Sequence, residues 1–308
     1  MRDTTIPVVA AVAVLGALSG LSQEWHNDWE LKRSSSADKV HFRITRNKEG
    51  SNWSNSSDVP LSRFRGLPAA TIDGRGSAKF DYVSDSGTLR CEGMFTSGRG
   101  SGTFVFEPNR GFSAELGKLG YDAPDDDELF GMMMSDVTLE FAKGVKNAGL
   151  NASTRQLVEL RIHGVSLDYI EGVRAAGFKD LQAREFVEMK IHGVGIDFIR
   201  DLQRAGYNVS ARQIVEMKIH GVSSDYLRDL AAYGVKPEPR ELVELKIHGV
   251  SPEFLRDTKN LGYSFSAREL VELKIHGVDG AYLKKLQDAG MKNLNARQIA
   301  QLKIHGVD

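Results

Sequence analysis

Six histidines recur at one place in a repeated tetrapeptide, Ile-His-Gly-Val, and because neutral imidazole is a common metal ligand the first chemistry to test is a metal site. They are His163, His192, His220, His248, His276 and His305, spaced by 29, 28, 28, 28 and 29 residues, and each precedes a glycine: Gly164, Gly193, Gly221, Gly249, Gly277 and Gly306. Two imidazoles on one zinc must converge to about 2 Å from the ion, whereas equivalent residues of packed helices lie about 8–10 Å apart. No repeat supplies a second histidine or a cysteine to close that gap. The spacing favours a helix-end role, in which each histidine bonds the last free carbonyls and complements the negative end of the helix dipole. Histidine and glycine are read as a structural repeat motif, with no metal or other cofactor expected.

A row of basic residues stands two places before the histidines: Arg161, Lys190, Lys218, Lys246, Lys274 and Lys303. Their angular position falls inside the apolar arc of a helix, so each must snorkel out along a groove or meet an acid. Emerging in line, they would form a periodic basic ridge for an acidic or peptide partner, and this row is the candidate partner-binding site. A second series, Arg155, Arg184, Arg212, Arg240 and Arg268, has glutamate four residues on, at Glu159, Glu188, Glu216, Glu244 and Glu272. That spacing supports a helix by about 0.2–0.5 kcal/mol per pair. The acid run Asp125 to Glu128 suits a helix start better than a calcium site, which needs a spaced loop. Cys91 is the one cysteine, so no intrachain disulfide can form, and within an expected strand it reads as a buried thiol. No nucleophile and base, and no pair of carboxylates, stands out, so no catalytic residue is assigned.

The elements that must position these rows follow from a second glycine series, Gly149, Gly177, Gly206, Gly234, Gly262 and Gly290, half a period out of phase with the first. In one unit Ser210 can cap a helix over Ala211 to His220, which Gly221 closes in a left-handed conformation. Ser223 caps the next, over Ser224 to Tyr233, closed by Gly234. The first helix, A, spreads Ile214, Val215, Met217 and Ile219 over more than half its circumference, which predicts packing from two sides. The second, B, shows one buried face. Such a unit is too short to bury its own faces, so neighbours must stack into an α-solenoid of two-helix repeats, each about 28 residues long. Phe141 to Gly149 and Phe112 to Gly120 resemble degraded copies of Tyr169 to Gly177. The array is therefore expected over 111–308, with degenerate units at 111–150 and regular ones at 151–308.

Ahead of it the pattern has period two. Val40, Phe42 and Ile44 alternate with polar residues, and runs at 78–83, 88–95 and 103–107 are separated by Asp85-Ser86-Gly87 and by Gly98 to Gly102. These predict an antiparallel β-meander at 39–110, with Gly98 to Gly102 as a tight hairpin turn and not a phosphate loop, since no helix follows. The fold class is α+β. The polar stretch 23–38 is read as a linker. Ile6 to Leu21 is an uncharged run of sixteen residues after Arg2, short of the about 20 a membrane-spanning helix needs, and Ala17-Leu18-Ser19 offers a small-x-small cleavage pattern. Residues 1–22 are read as a signal peptide, with an uncleaved anchor over 6–21, Trp25 and Trp29 lying at the interface, as the alternative. With 40 basic and 41 acidic side chains the chain is nearly neutral, and neither half carries the excess a nucleic-acid binder needs.

The repeat Glu-Leu-Val-Glu-Leu-Lys-Ile-His-Gly-Val-Ser-Pro-Glu-Phe-Leu-Arg at 241–256 resembles those at the C-terminus of BlaR-type sensor peptidase homologues and related exported bacterial proteins. Trp53-Ser54, Asp58-Val59-Pro60-Leu61, Ser86-Gly87-Thr88 to Glu92-Gly93 and Gly102 to Phe106 are similar to the segment preceding the repeats there. In those homologues a membrane zinc protease with a His-Glu-x-x-His signature lies upstream. No histidine here is followed by glutamate, so peptidase activity does not carry over. The expectation is an exported, periplasmic or extracellular, non-enzymatic scaffold that binds a protein or peptide, with envelope sensing as the process the resemblance implies. The alternative is ligand or glycan sensing by the β-domain through Trp53 and the glycine-rich hairpins. A metal-dependent hydrolase stands third.

Overall fold

The computed structural model describes residues 26–48 and 51–307, so the signal peptide or anchor expected at 1–22 lies outside the described residues. The chain divides into two units, one comprising the residues up to 83 together with 88–107, the other 84–87 with 108–308. The fold is α+β, as the patterns indicate.

The first unit is an antiparallel sheet of strands β1 (His26–Arg33), β2 (Lys39–Lys48), β3 (Ser51–Pro60), β4 (Phe64–Arg65), β5 (Arg75–Val83), β6 (Gly87–Thr96) and β7 (Arg99–Pro108) in the order β3-β2-β1-β7-β6-β5-β4, with a short helix α1 (Ala69–Asp73). The stretch read as a linker is overturned by β1, which lies between β2 and β7. Its polar composition hid a period-two pattern: Trp29 and Leu31 are 1% and 2% exposed, whereas Glu30 and Lys32 between them face solvent. A place for Trp29 at a membrane interface is excluded by the same burial. Its ring meets Phe80 edge-on at 4.9 Å, and Phe42, Phe64, Tyr82 and Phe95 complete an aromatic core on that face.

The glycine-rich stretch differs from the expected turn as well. Only Ser97 and Gly98 turn, and Arg99 to Gly102 are strand. The glycines make room: a Cβ on Gly93 would lie 2.6 Å from the Trp29 ring, and one on Gly100 2.6 Å from Cδ1 of Phe95. The Trp29 Nε1 then donates to the carbonyls of Glu92 at 3.2 Å and Thr103 at 3.0 Å.

The second unit holds α2 (Arg110–Lys118), α3 (Asp126–Met134), α4 (Leu139–Asn147), α5 (Thr154–Ile162), α6 (Leu167–Ala175), α7 (Ala183–Ile191), α8 (Ile196–Arg204), α9 (Ala211–Ile219), α10 (Ser224–Ala232), α11 (Pro239–Ile247), α12 (Pro252–Asn260), α13 (Ala267–Ile275), α14 (Gly280–Asp288) and α15 (Ala296–Ile304). Odd-numbered helices from α3 are A helices and pack on one another in sequence; the even-numbered B helices do the same. Neighbouring units thus bury in each other the faces that one unit cannot bury alone. Asp125 opens α3 with a capping box, its carboxylate accepting from the Glu128 N–H at 2.8 Å, as the acid run suggested.

Candidate functional site

The A helices carry every residue row of interest, and α9 shows how each is placed. The Ser210 hydroxyl accepts from the Gln213 N–H and the Gln213 side chain accepts from the Ser210 N–H, a reciprocal cap. At the other end Gly221 takes φ 76°, its N–H donates to the Lys218 carbonyl at 3.0 Å, and the N–H of buried Val222 donates to Met217 at 2.9 Å. This is a Schellman ending, and it consumes the carbonyls the histidine was expected to satisfy. His163, His192, His220, His248, His276 and His305 are C-cap residues by their backbone, and among the described residues their rings make no hydrogen bond. They line up at the solvent edge. No group of three histidine, cysteine, aspartate or glutamate side chains that could hold a metal occurs among the described residues.

The same ending occurs once without glycine. In α3 the sequence Ser135-Asp136-Val137 stands where later units have His-Gly-Val; Asp136 takes φ 54°, and the Val137 N–H donates to Met132 at 2.9 Å. Aspartate tolerates that conformation better than most residues. The carboxylate of Asp136 then receives the guanidinium of Arg161 at 3.1 Å. A search for the tetrapeptide misses this unit, whose signal is a left-handed-tolerant residue between a cap and a valine.

The basic row is half-buried, and each charge lies over a ring of the B helix that precedes it in the chain. Arg161 lies over Phe141 at 5.2 Å, Lys190 over Tyr169 at 4.6 Å, Lys218 over Phe198 at 4.8 Å, Lys246 over Tyr226 at 4.7 Å, Lys274 over Phe254 at 5.0 Å and Lys303 over Tyr282 at 4.4 Å. Snorkelling happens, but against an aromatic wall, where a cation gains about 0.5–1 kcal/mol or more. The rings alternate Phe, Tyr, Phe, Tyr, Phe, Tyr, a period of two units that one-unit comparison conceals. The Tyr169, Tyr226 and Tyr282 hydroxyls donate to the carbonyls of Val194 at 2.7 Å, Val250 at 2.9 Å and Val307 at 2.8 Å, tying a B helix to the end of the next A helix. Burial pushes the Tyr169 phenol up to about 12, and moves Tyr226 in the same direction.

The residue after each basic one is where the expectation fails. Helical periodicity puts Ile219 in the apolar arc of helix A, yet Ile162, Ile191, Ile219, Ile247, Ile275 and Ile304 are 56–64% exposed. The lysine stem and its aromatic partner occupy the groove that a helical-wheel count assigns to the isoleucine. Inner A helices pack against the A helices before and after them, and the outer strip of α5, α7, α9, α11 and α13 reads arginine, glutamate, isoleucine, histidine, with Gln301 replacing the glutamate in α15. The arginine and glutamate four apart form no ion pair within a helix among the described residues. Instead Arg268 reaches Glu241 at 3.1 Å and Arg155 reaches Glu128 at 3.8 Å, each on the preceding A helix. Between α9 and α11 a groove of about 540 Å³ is lined by Arg212, Glu216, Arg240, Glu244 and Ile247.

On the first unit, Cys91 is 1% exposed and burial pushes its thiol well up, away from reactivity. Trp53 is half-buried on β3, apart from an open trough of about 620 Å³ on the polar face of the sheet, whose lining includes Lys32, His41, Arg43 and Arg99. The clustered rings lie on the opposite, buried face. Compared with family models, curated proteins and solved structures, the chain matches none.

Proposed function

We propose that the protein is an exported, non-catalytic scaffold whose helical array binds an extended segment of a partner protein across successive A helices. The observation that carries this is the row of six isoleucines, one per unit, each more than half exposed. Scattered single apolar residues on a surface need no explanation, but a row repeated at the structural period is an organised apolar surface. Successive A helices lie about 8–10 Å apart, and three residues of extended or polyproline-type chain span about 9–10 Å. A partner with an apolar side chain at every third position would therefore meet one isoleucine per step, with the arginine and glutamate rows flanking its polar positions. The half-buried basic row remains part of the proposed surface through the edges of its side chains, below the isoleucines. Export, to periplasm or exterior, rests on the apolar run at 6–21 and on the resemblance to repeat-bearing exported proteins; membrane attachment would come only through that run. Among the described residues no helix is long and apolar enough to cross a membrane.

The test is selection of displayed peptides against the full chain, followed by titration of the selected peptides against the parent and against an Ile219→Ser, Ile247→Ser, Ile275→Ser triple variant. Peptides with apolar residues at period three, losing at least about tenfold in affinity to the variant, are expected, since one buried isoleucine is worth about 1.5–3 kcal/mol. Equal affinity for parent and variant would overturn the reading.

A further inference from the structure

We propose that the trough on the polar face of the sheet is a binding site for a small polyhydroxylated anion, of which a sugar acid is the chemical class that fits. This stands apart from the helical surface and does not depend on it. Strand alternation puts Lys32 on the polar face of β1, and the register sets it directly opposite Arg99 of β7 on one side and His41 of β2 on the other. Three basic side chains thus stand abreast on three adjacent strands. Like charges directly opposed across strands destabilise a sheet, so the Lys32 and Arg99 pair calls for an anion.

The protein's carboxylates near the trough leave Lys32 and Arg99 unpaired, although Glu30 stands at its edge. Asp58 accepts from the Ser34 hydroxyl at 2.7 Å and pairs with Nδ1 of His41 at 3.0 Å, and Glu92 pairs with Lys79 at 2.6 Å. Arg43 stands opposite Glu30 and donates through Nε to the Ser54 hydroxyl at 3.1 Å. Lys32 and Arg99, both exposed, have no ion-pair or hydrogen-bond partner among the described residues. A carboxylate seated between them would meet a planar guanidinium fork and a point-like ammonium, the pairing that gives short, charge-assisted bonds.

The rest of the lining selects for hydroxyls. Ser56, Thr96 and Ser101 border the trough together with the Glu30 carboxylate, which can accept from a sugar hydroxyl. Met94, 58% exposed, supplies an apolar wall for the face of a sugar ring. A volume of about 620 Å³ falls within the about 300–1,000 Å³ usual for small-molecule sites.

Calorimetric titration of the full chain with sodium glucuronate, with glucose and sodium sulfate as comparison probes, tests the site. Glucuronate is expected to bind saturably and more tightly than sulfate, and glucose not at all. Lys32→Gln and Arg99→Gln should each lower glucuronate affinity at least about tenfold, the loss of one charge-assisted bond. Lys79→Gln, whose ammonium serves Glu92 on the same sheet, should leave it unchanged. Without ligand, both trough variants should hold or raise the unfolding midpoint, because a like-charge opposition is removed. Glucuronate binding no better than glucose or sulfate, affinity indifferent to Lys32 and Arg99, or a midpoint that falls on neutralising either residue would each overturn the proposal.

Discussion

In the sheet, Gly93 and Gly102 face each other across β6 and β7, and a Cβ on Gly102 would strike the Glu92 carbonyl and come within 2.6 Å of the Gly93 Cα. In the array, Gly234 has nothing within 4 Å of the same position, but holds φ at 78°. The same residue type answers two demands. One is space for a neighbouring strand and the Trp29 indole; the other is a backbone conformation that L side chains resist. Space cannot be negotiated in a packed sheet, whereas a strained dihedral has a bounded cost.

The comparison predicts a difference in size. Gly102→Ala should cost about 3 kcal/mol or more, since backbone must move and overpacking at the centre of a sheet is poorly relieved. Trp29 and Trp53 lie in the sheet and no tryptophan occurs in the helical array, so tryptophan fluorescence during urea unfolding reads the sheet separately from helical circular dichroism. An unchanged fluorescence midpoint would show that the sheet relaxes around a methyl group. Gly234→Ala should cost about 1–2 kcal/mol in the helical transition, the usual penalty for an L residue in the left-handed region. Gly234→Asn should cost less, because asparagine tolerates that region. If alanine and asparagine are equally destabilising, the cost lies in something other than the dihedral.

The two regions also differ in how much of them the sequence discloses. In the array the closing glycine and valine are stated six times, so Gly221 and Val222 can be recognised by recurrence alone and the helices end where the glycines stand, whereas the cap at Ser210 is filled by Gln182, Glu238 and Asn295 in other units. In the sheet each demand is stated once. Strand β1 carries only Trp29 and Leu31 as apolar alternates among charges, so it reads as polar linker-like chain, and β3 carries serine and asparagine as an edge strand with no alternation to mark it within the expected meander. Recurrence has its own blind spot. It shows that a basic residue and an isoleucine sit side by side in every unit but not which of them turns outward, because the deciding ring belongs to a different helix. Asp136 escaped for the converse reason, doing a glycine's work in the one unit where the letter differs.

The alternation of Phe and Tyr under the basic row sharpens the comparison within the array. Tyr169→Phe removes the hydroxyl that donates to Val194 and should cost about 1 kcal/mol, since the buried carbonyl loses its donor. Phe198→Tyr need not return it. The pH dependence has a definite sign. Burial raises the phenol of Tyr169 to about 12 from an ordinary 10.0, so the folded state keeps a proton that the unfolded chain releases. The contribution is present below pH 10 and lost as pH rises towards 12. Tyr169→Phe should flatten that part of the stability profile, and an identical profile in the variant would place the alkaline sensitivity elsewhere.

Lys246 and Ile247 are adjacent in the chain and make the smallest predicted changes in stability, yet they separate two ideas of what the array presents. The ammonium of Lys246 lies over the Tyr226 ring at 4.7 Å on a half-buried stem, so Lys246→Gln should lower stability by about 0.5–1 kcal/mol. Ile247 is 56% exposed, and Ile247→Ser should shift stability by no more than about 0.5 kcal/mol in either direction. For binding of a selected peptide the order reverses if the isoleucines form the contact row: the serine variant weakens it and the glutamine variant leaves most of it. The two substitutions measured together, by thermal unfolding and by peptide titration, form a crossed pair in which neither a general loss of fold nor a general loss of charge can imitate the expected pattern. Binding lost with Lys246→Gln and kept with Ile247→Ser would return the partner surface to the basic row and leave the isoleucines as incidental exposure.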